Sequence, residues 1–533
     1  MSPPAPPRRF GGALAVGVGI FLSRIAGLVR ERVLAHYFGL GDAAGAFRAA
    51  MRIPNFLQNL LGEGVLSASF IPVYTRLRAE GKDVEAQRMA RAVGTLLALV
   101  ASAVALLGVV ASPVLVDVVA PGFHGATRDL TVRLVQIMFP GVALLVLSAW
   151  CLGVQNSHRK FFLSYVSPVV WNAVVIAAAV IAARRWAGHA DDLVVAVAWG
   201  AVLGSAAQLA VQLPTVWRLL GGLRPSVATG DPGVRATLRA FGPVFIGRGS
   251  VQISSYLDQI LASYLGPAMV AGMSAAQVLY TLPVSLFGMA VSAAELPEMA
   301  RVTGDATAIA AALRARLKSA LRRVVFLVMP SAIAFVALGD LIVGLVFQSG
   351  RFDAGDTHAV WIILAGSALG LSAGTQGRLL ASAFYALGDT KTPLRAALVR
   401  VAITFVAGWA FALPVRHALG YSEVWGAFGL TASAGVAAWV EYELLRRWLA
   451  RRIGHVPVPI ALVLGTFAAA AIAGALTAMV LHAIGTHRVL VTAAIGLPMF
   501  GALYLWPMVV FRVPEVAALT GPFARRLGRR RRG

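Results

Sequence analysis

Runs of roughly 20 mainly apolar residues, each closed by a short polar link, recur from one end of the chain to the other, a length that matches a bilayer's hydrocarbon core. Fourteen such runs are predicted to be membrane-spanning helices, near 13–37, 44–75, 92–119, 130–155, 161–183, 192–219, 238–265, 270–299, 321–347, 358–387, 393–414, 423–447, 457–482 and 488–512. The first two break the pattern. Ser23 to Pro72 is apolar overall, yet it holds Arg24, Arg30, Arg48, Arg52 and Glu63. An arginine at the centre of a spanning helix costs about 2.5–3.5 kcal/mol on insertion scales, so such residues face a wet cavity or a partner. Arg48, Arg52, Asn55, Asn59 and Glu63 recur at i, i+4, i+7, i+11 and i+15, which puts them on one helical face. Pro54 and the glycines around Glu63 make that helix easy to bend. A cationic stripe on a bent span predicts a water-filled cavity that receives something anionic.

Composition fits the same class: 58% of the 533 residues are hydrophobic, 13% are charged, and the mean hydropathy is +0.77. The net charge of +24 changes the picture only through its distribution. Alternate links are rich in cations (Arg76 to Arg91, His158 to Lys160, Arg218 to Arg239, Arg301 to Arg323, Lys391 to Arg395, Arg446 to Arg452), as are both termini. The intervening links hold most of the exposed aspartates, including Asp117, Asp191, Asp192, Asp353 and Asp356. By the positive-inside rule both termini are cytoplasmic, which requires an even number of spans. The charge is then explained by topology and by attraction to membrane lipids, with no nucleic-acid partner. The leader MSPPAPPRR reads as disordered and uncleaved, and Cys151, the single cysteine, excludes internal disulfides and cysteine metal clusters.

The two halves resemble each other at an offset of about 229 residues. VVAPGFHGATRDL around Phe123 pairs with VFQSGRFDAGDTHAV around Phe352, and QNSHRKFFLSYVSP around Gln155 with YALGDTKTPLRAAL around Tyr385. Span two, with Pro54 and Pro72, matches span eight, with Pro283 and Pro297. Six spans per repeat give two copies of the same orientation, with a substrate site at their interface and alternating access by rocking. The predicted fold is an all-α integral membrane protein: two six-helix lobes around a central cavity, plus two extra C-terminal helices. Its segments are a leader (1–12), lobes at 13–220 and 236–448, the added helices at 457–512 and a basic tail at 513–533.

The run S-R-x-x-G-x-x-R from Ser23, then A-F-x-x-x-x-[KR]-[IL]-P-N from Ala46 and E-G-x-x-S-x-x-F-x-P from Glu63, resembles the amino-terminal signature of the MurJ (MviN) lipid II flippases of the MOP superfamily. The resemblance implies export of a lipid-linked peptidoglycan precursor across the plasma membrane by a transporter that breaks no bond. It implies a substrate of undecaprenyl-pyrophosphate type, no cofactor, and cell-wall synthesis proteins as candidate partners. Arg24 and Arg30 match motif arginines that the family turns toward pyrophosphate, and guanidinium forks suit phosphate oxygens. They are six residues apart, about 240° around a helix, so sharing one cavity requires a break near Gly27. The bland reading has Arg30 and Arg32 snorkelling to an interface or pairing with Glu31. Glu63 is either a gate or a structural counter-ion.

Further substrate-site candidates are Arg248 and Gln252, on one face of span seven with Ser255 and Gln259, together with Gln277, Gln376 and Arg378. Asp258 is an intramembrane carboxylate that suggests cation or proton coupling. Because part of the family holds a sodium ion with spans 7, 11 and 12, Asp258, Asp389 and Thr404 are the coupling-ion candidates. Coupling to Na+, H+ or the membrane potential stays open. Asp389 in GDTKTP also reads as a turn or helix cap, and Glu295 and Glu298 as interfacial salt-bridge partners. No metal site is expected.

The chain departs from the family pattern at three places. Gly45 stands where an aspartate precedes Ala46-Phe47, Gln58 and Asn59 where a second cavity arginine is usual, and Gln277 and Val278 where span eight carries Asp-Arg. Either other arginines (Arg48, Arg248, Arg378) rebuild the cavity, or the chain is a divergent paralogue that moves another polyprenyl-linked oligosaccharide or serves as a non-transporting assembly partner. A polyprenyl-phosphate glycosyltransferase would need paired carboxylates in a sizeable extramembrane loop, which is missing. A drug/cation antiporter would want an acidic cavity, and this one reads as basic.

Overall fold

All fourteen apolar stretches are helical in the computed structural model. It describes residues 10–516 apart from 187, 303, 458–459 and 486–487, and the side chains of those residues apart from 10–17, 63–64, 243–255, 290, 293 and 300. The first nine residues and the tail from 517 fall outside it. Among the described residues there is no strand, only an isolated bridge between Ser349 and Phe352. Among the described residues nine helices are long and apolar enough to cross a membrane, and ten if one bent pair counts as a single span. Length and hydropathy thus account for ten of the fourteen expected spans among the described residues. Spans one, two, seven and twelve are not among them: a break at Gly62 divides span two, charged and polar residues dilute span twelve, and spans one and seven run over residues whose side chains are not described.

The helices divide into two units, residues 1–271 with 349–352, and 272–348 with 353–533. The first contains α1 (Phe10–Phe38), α2 (Asp42–Leu61), α3 (Glu63–Ala79), α4 (Asp83–Val110), α5 (Ser112–Val119), α6 (Gly125–Ser157), α7 (Phe161–Trp186), α8 (Ala190–Leu219) and α9 (Pro232–Ser263). Here α6 packs on α2, α4 and α8, while α7 lies between α1 and α8. Phe47, Phe70, Tyr74 and Phe139 are fully buried at the centre. Small residues bring the helices close. A Cβ on Gly108 of α4 would overlap the Phe139 ring, and one on Gly200 of α8 would overlap Ala178. Indole N–H groups then close the gaps, Trp150 donating to Ala90 O at 3.1 Å and Trp171 to Ala201 O at 3.0 Å. Span seven (α9), which the repeat assigns to the second lobe, packs against α3 inside the first unit.

The second unit takes up α10 (Pro267–Pro283) from Gly272 onward. Pro283 has no N–H to donate, and a π-turn follows it over Val284–Met289, leading into α11 (Ala290–Ala300). Next come α12 (Ala306–Ala337), α13 (Gly339–Phe347), α14 (Ala354–Ala368), α15 (Leu371–Ala386), α16 (Lys391–Ala410), α17 (Arg416–Leu419), α18 (Glu423–Ile453), α19 (Ile460–Ile484) and α20 (Val489–Val510). α14 and α15 meet at a 43° bend, where Gly370 lies backbone-to-backbone on Gly435 of α18. α19 packs on α12 and α20, and Tyr504 of α20 donates its hydroxyl to Phe326 O of α12 at 2.7 Å.

Just past α20, the carboxylate of Glu515 accepts from both Arg322 Nε and Arg322 Nη2, the latter at 3.1 Å. Burial alone would push the Glu515 carboxyl up, but the Arg322 guanidinium more than reverses this and holds it below the ordinary carboxylate range. A carboxyl depressed by folding stabilises the fold above its unfolded value and loses that contribution as pH falls. Glu515→Gln is therefore expected to melt below the parent at pH 7, with the difference closing below about pH 4.5, in thermal unfolding followed in detergent. Gly108→Val should cost about 1–3 kcal/mol by overpacking against Phe139, read as a lowered denaturation midpoint in the same assay.

Candidate functional site

α1 runs unbroken through Gly27, so Arg24 and Arg30 stay on different faces. Arg24 is exposed. Arg30 turns into the first unit. Its Nη1 donates to Asn172 Oδ1 at 3.0 Å, its guanidinium lies 4.9 Å from the Trp171 ring centroid, and its Nη2 donates to Glu31. Asn172 is itself oriented by donating to Pro168 O at 2.8 Å. The other Glu31 oxygen pairs with Arg48 Nη2 of α2. Glu31 is only 5% exposed, so one buried carboxylate joins two arginines from adjacent helices. This triad keeps a net charge of one, because a single carboxylate answers two guanidiniums.

The polar stripe on α2 divides along its length. Arg48 goes to the triad. At Arg52, the backbone carbonyl accepts from Tyr256 Oη at 2.7 Å, while Asp258 is near enough to act on its guanidinium. Phe56 meets Tyr256 edge-on at 5.1 Å between centroids. Asn55 borders a small cleft with Met138, Trp171 and Ser205, and Asn59 is exposed. The expected bend falls at Gly62, whose N–H closes on Gln58 O at 2.7 Å, so Glu63 opens α3 rather than continuing the stripe. The side chains of Glu63, Arg248, Gln252 and Ser255 lie outside the described residues. Gln259 of α9 is buried.

In the second unit Gln277 is exposed and donates to Thr281 Oγ1 at 3.1 Å, and Arg378 is exposed on α15. One turn before Arg378, a Cβ on Gly374 would stand 3.6 Å from Tyr280 Oη, and Arg378 and Arg400 both act electrostatically on that phenol. Gln376 is buried and donates to Ser372 Oγ at 3.0 Å. Arg400 pairs with Glu441 at 3.0 Å. Asp389 Oδ1 accepts from the backbone N–H of Lys391 and Thr392, each at 3.0 Å, while Oδ2 accepts from Thr392 Oγ1 at 2.7 Å and bridges to Arg452 at 2.7 Å. These bonds with Thr392, and Arg452's charge, hold its carboxyl below the ordinary range. Asp389 is thus occupied as a cap. Thr404 is buried on α16. Glu298 pairs with Arg301 at 3.0 Å and Arg316 at 3.1 Å, and Glu295 faces Arg316 at 3.5 Å. No cluster of metal-ligating side chains occurs among the described residues.

With this geometry in view, the family model described as lipid II flippase MurJ matches residues 34–499. The chain belongs to the MurJ family. The lipid II flippase MurJ of Burkholderia cenocepacia is 31% identical over 456 residues, 84% of this chain and 85% of that protein. A probable lipid II flippase MurJ of Rhizobium tropici is 35% identical over 73% of each chain. Among solved structures, a lipid II flippase MurJ in an inward closed conformation superposes with TM-score 0.73 over 94% of this chain and 99% of its own, at 20% identity. A multidrug resistance MATE family transporter of the MOP superfamily, inward-facing, gives 0.62 over 83% and 98%, at 14% identity. The fold is that of MurJ and MATE transporters, as the signature in spans one and two led one to expect. One departure from the MurJ pattern has a packing cause. A Cβ on Gly45 would overlap the Pro267 carbonyl and ring, so no aspartate fits there.

Three of these partnerships were not read from sequence: Arg48 with Glu31, Arg30 with Trp171 and Asn172, and Arg400 with Glu441. The signal for the first was a lone acid within an apolar run that carries more arginines than it can balance. Removing one partner of a buried ion pair costs about 3–5 kcal/mol because the other charge stays buried. Glu31→Gln is expected to lose stability on that scale in detergent unfolding. Adding Arg48→Gln should restore part of the loss, a coupling that strictly additive effects would contradict.

Proposed function

We propose that this chain moves lipid II from the cytoplasmic to the outer leaflet of the bacterial plasma membrane by alternating access, with both termini in the cytoplasm. The observation that carries the reading is a surplus of positive charge on spanning helices. Glu31 answers only one of Arg30 and Arg48, Asp258 faces Arg52, and Arg24 is exposed with no carboxylate partner among the described residues. In a chain whose relatives are named for lipid II, that surplus suits a pyrophosphate, which guanidinium groups grip by charge-assisted, two-pronged hydrogen bonds. The second unit has an exposed cation of its own in Arg378. It approaches α10 beside Tyr280, two residues from Val278, where the family's arginine is absent. For the driving force we assign the membrane potential, because Asp389 is already occupied as a cap and Asp258 faces Arg52. Each negative charge that leaves a negative cytoplasm gains about 2.3 kcal/mol per 100 mV.

A second reading, transport of another polyprenyl-linked oligosaccharide, is favoured by Gln277 and Val278, neutral residues on the helix where the family carries Asp-Arg. The two separate in a bacterium whose own lipid II flippase can be switched off. The chain is expected to restore growth, and Arg24→Ala and Arg378→Ala each to abolish rescue while still inserting at parental levels. Correct insertion without rescue by the parent would move the assignment to another lipid-linked sugar.

A further inference from the structure

A pocket of about 230 Å³ in the second unit is lined by Phe384 at the end of α15, Thr392 and Arg395 at the start of α16, and Trp448, Arg451 and Arg452 at the end of α18. Three arginines converge there and only one is answered. Arg452 is bridged to Asp389 at 2.7 Å and lies 6.0 Å over the Phe384 ring, whereas Arg395 and Arg451 have no acidic partner among the described residues. The start of α16 is not itself vacant, because Asp389 already accepts from its first two N–H groups. The pocket's surplus charge therefore rests on side chains, and it asks for an anion.

We infer that this pocket binds the phosphate headgroup of an anionic phospholipid from the cytoplasmic leaflet. Its position follows from the charge pattern: the α15–α16 link and the end of α18 are among the basic connections that the positive-inside rule puts in the cytoplasm. Basic pockets between helices at that level are where acidic headgroups lodge. The adjoining surface fits the rest of a lipid. From Arg395, the face of α16 continues through Leu398, Val399, Phe405, Val406 and Trp409, all exposed large apolar residues. An acyl chain laid on that stripe would have its phosphate end at Arg395. Trp448, half-buried at the pocket wall, is of the type that sits at headgroup depth. A soluble anion would satisfy the arginines but leave the stripe unused. The assignment does not depend on which substrate is transported.

The test uses the full chain, purified in a mild detergent and incubated with equal phosphatidylglycerol and phosphatidylcholine, with bound lipid counted by native mass spectrometry. The parent should retain phosphatidylglycerol at least tenfold over phosphatidylcholine. Arg395→Gln with Arg451→Gln should lower that ratio by about tenfold while its unfolding temperature in phosphatidylcholine matches the parent. Arg452 is left intact to keep the Asp389 bridge. A double variant that retains the parental ratio would overturn the inference, as would equal retention of both lipids by the parent. Release of phosphatidylglycerol by millimolar inorganic phosphate would overturn it too, by showing a site for free phosphate.

Discussion

The Glu31 carboxylate is the charge on which the interior of the first unit depends. Burying an ion is costly unless an opposite charge and hydrogen bonds meet it, and Glu31 meets two guanidiniums, from its own helix and from α2. Arg30 carries the connection onward to α7 through Asn172 and Trp171. Three helices are thereby held in one rotational setting about their axes, since turning any of them would strand a charge. The arrangement also sets the sign of the interior, because one acid among two bases leaves a positive remainder.

Much of the fold was legible because the bilayer imposes it. Apolar runs of spanning length located the main helical stretches, and the stripe on α2 flagged the helix with the most unusual chemistry. The partners of that stripe were not legible. Helical periodicity says which residues of one helix share a face, but it is silent about what another helix presents there. Arg48 looked as available as Arg24, and only the proximity of α1 and α2 distinguishes a neutralised arginine from an exposed one. The packing of α9 against α3 was not legible for the same reason.

The second unit shows how cations can be redistributed without disturbing a fold. α10 carries the neutral Gln277 and Val278, yet Arg378 brings a cation beside Tyr280 of the same helix from α15. Long side chains make such an exchange feasible, since a guanidinium lies several bonds from its backbone and can serve a site that neighbouring helices share. Acids are placed more conservatively. Asp389, Glu295, Glu298 and Glu441 are each held by arginine or by backbone N–H groups, which leaves the arginines in excess.

The contact between Gly45 and Pro267 bears on how this lineage can change. Proline fixes its own backbone and cannot step aside as a flexible side chain would, so placing any side chain at position 45 requires the chain around 267 to move first. The barrier is one-sided: it opposes a side chain at position 45, and because the Pro267 backbone carbonyl is part of the contact, replacing the proline ring alone would not remove it. A negative charge in this region is therefore more readily supplied from a neighbouring position than from 45 itself.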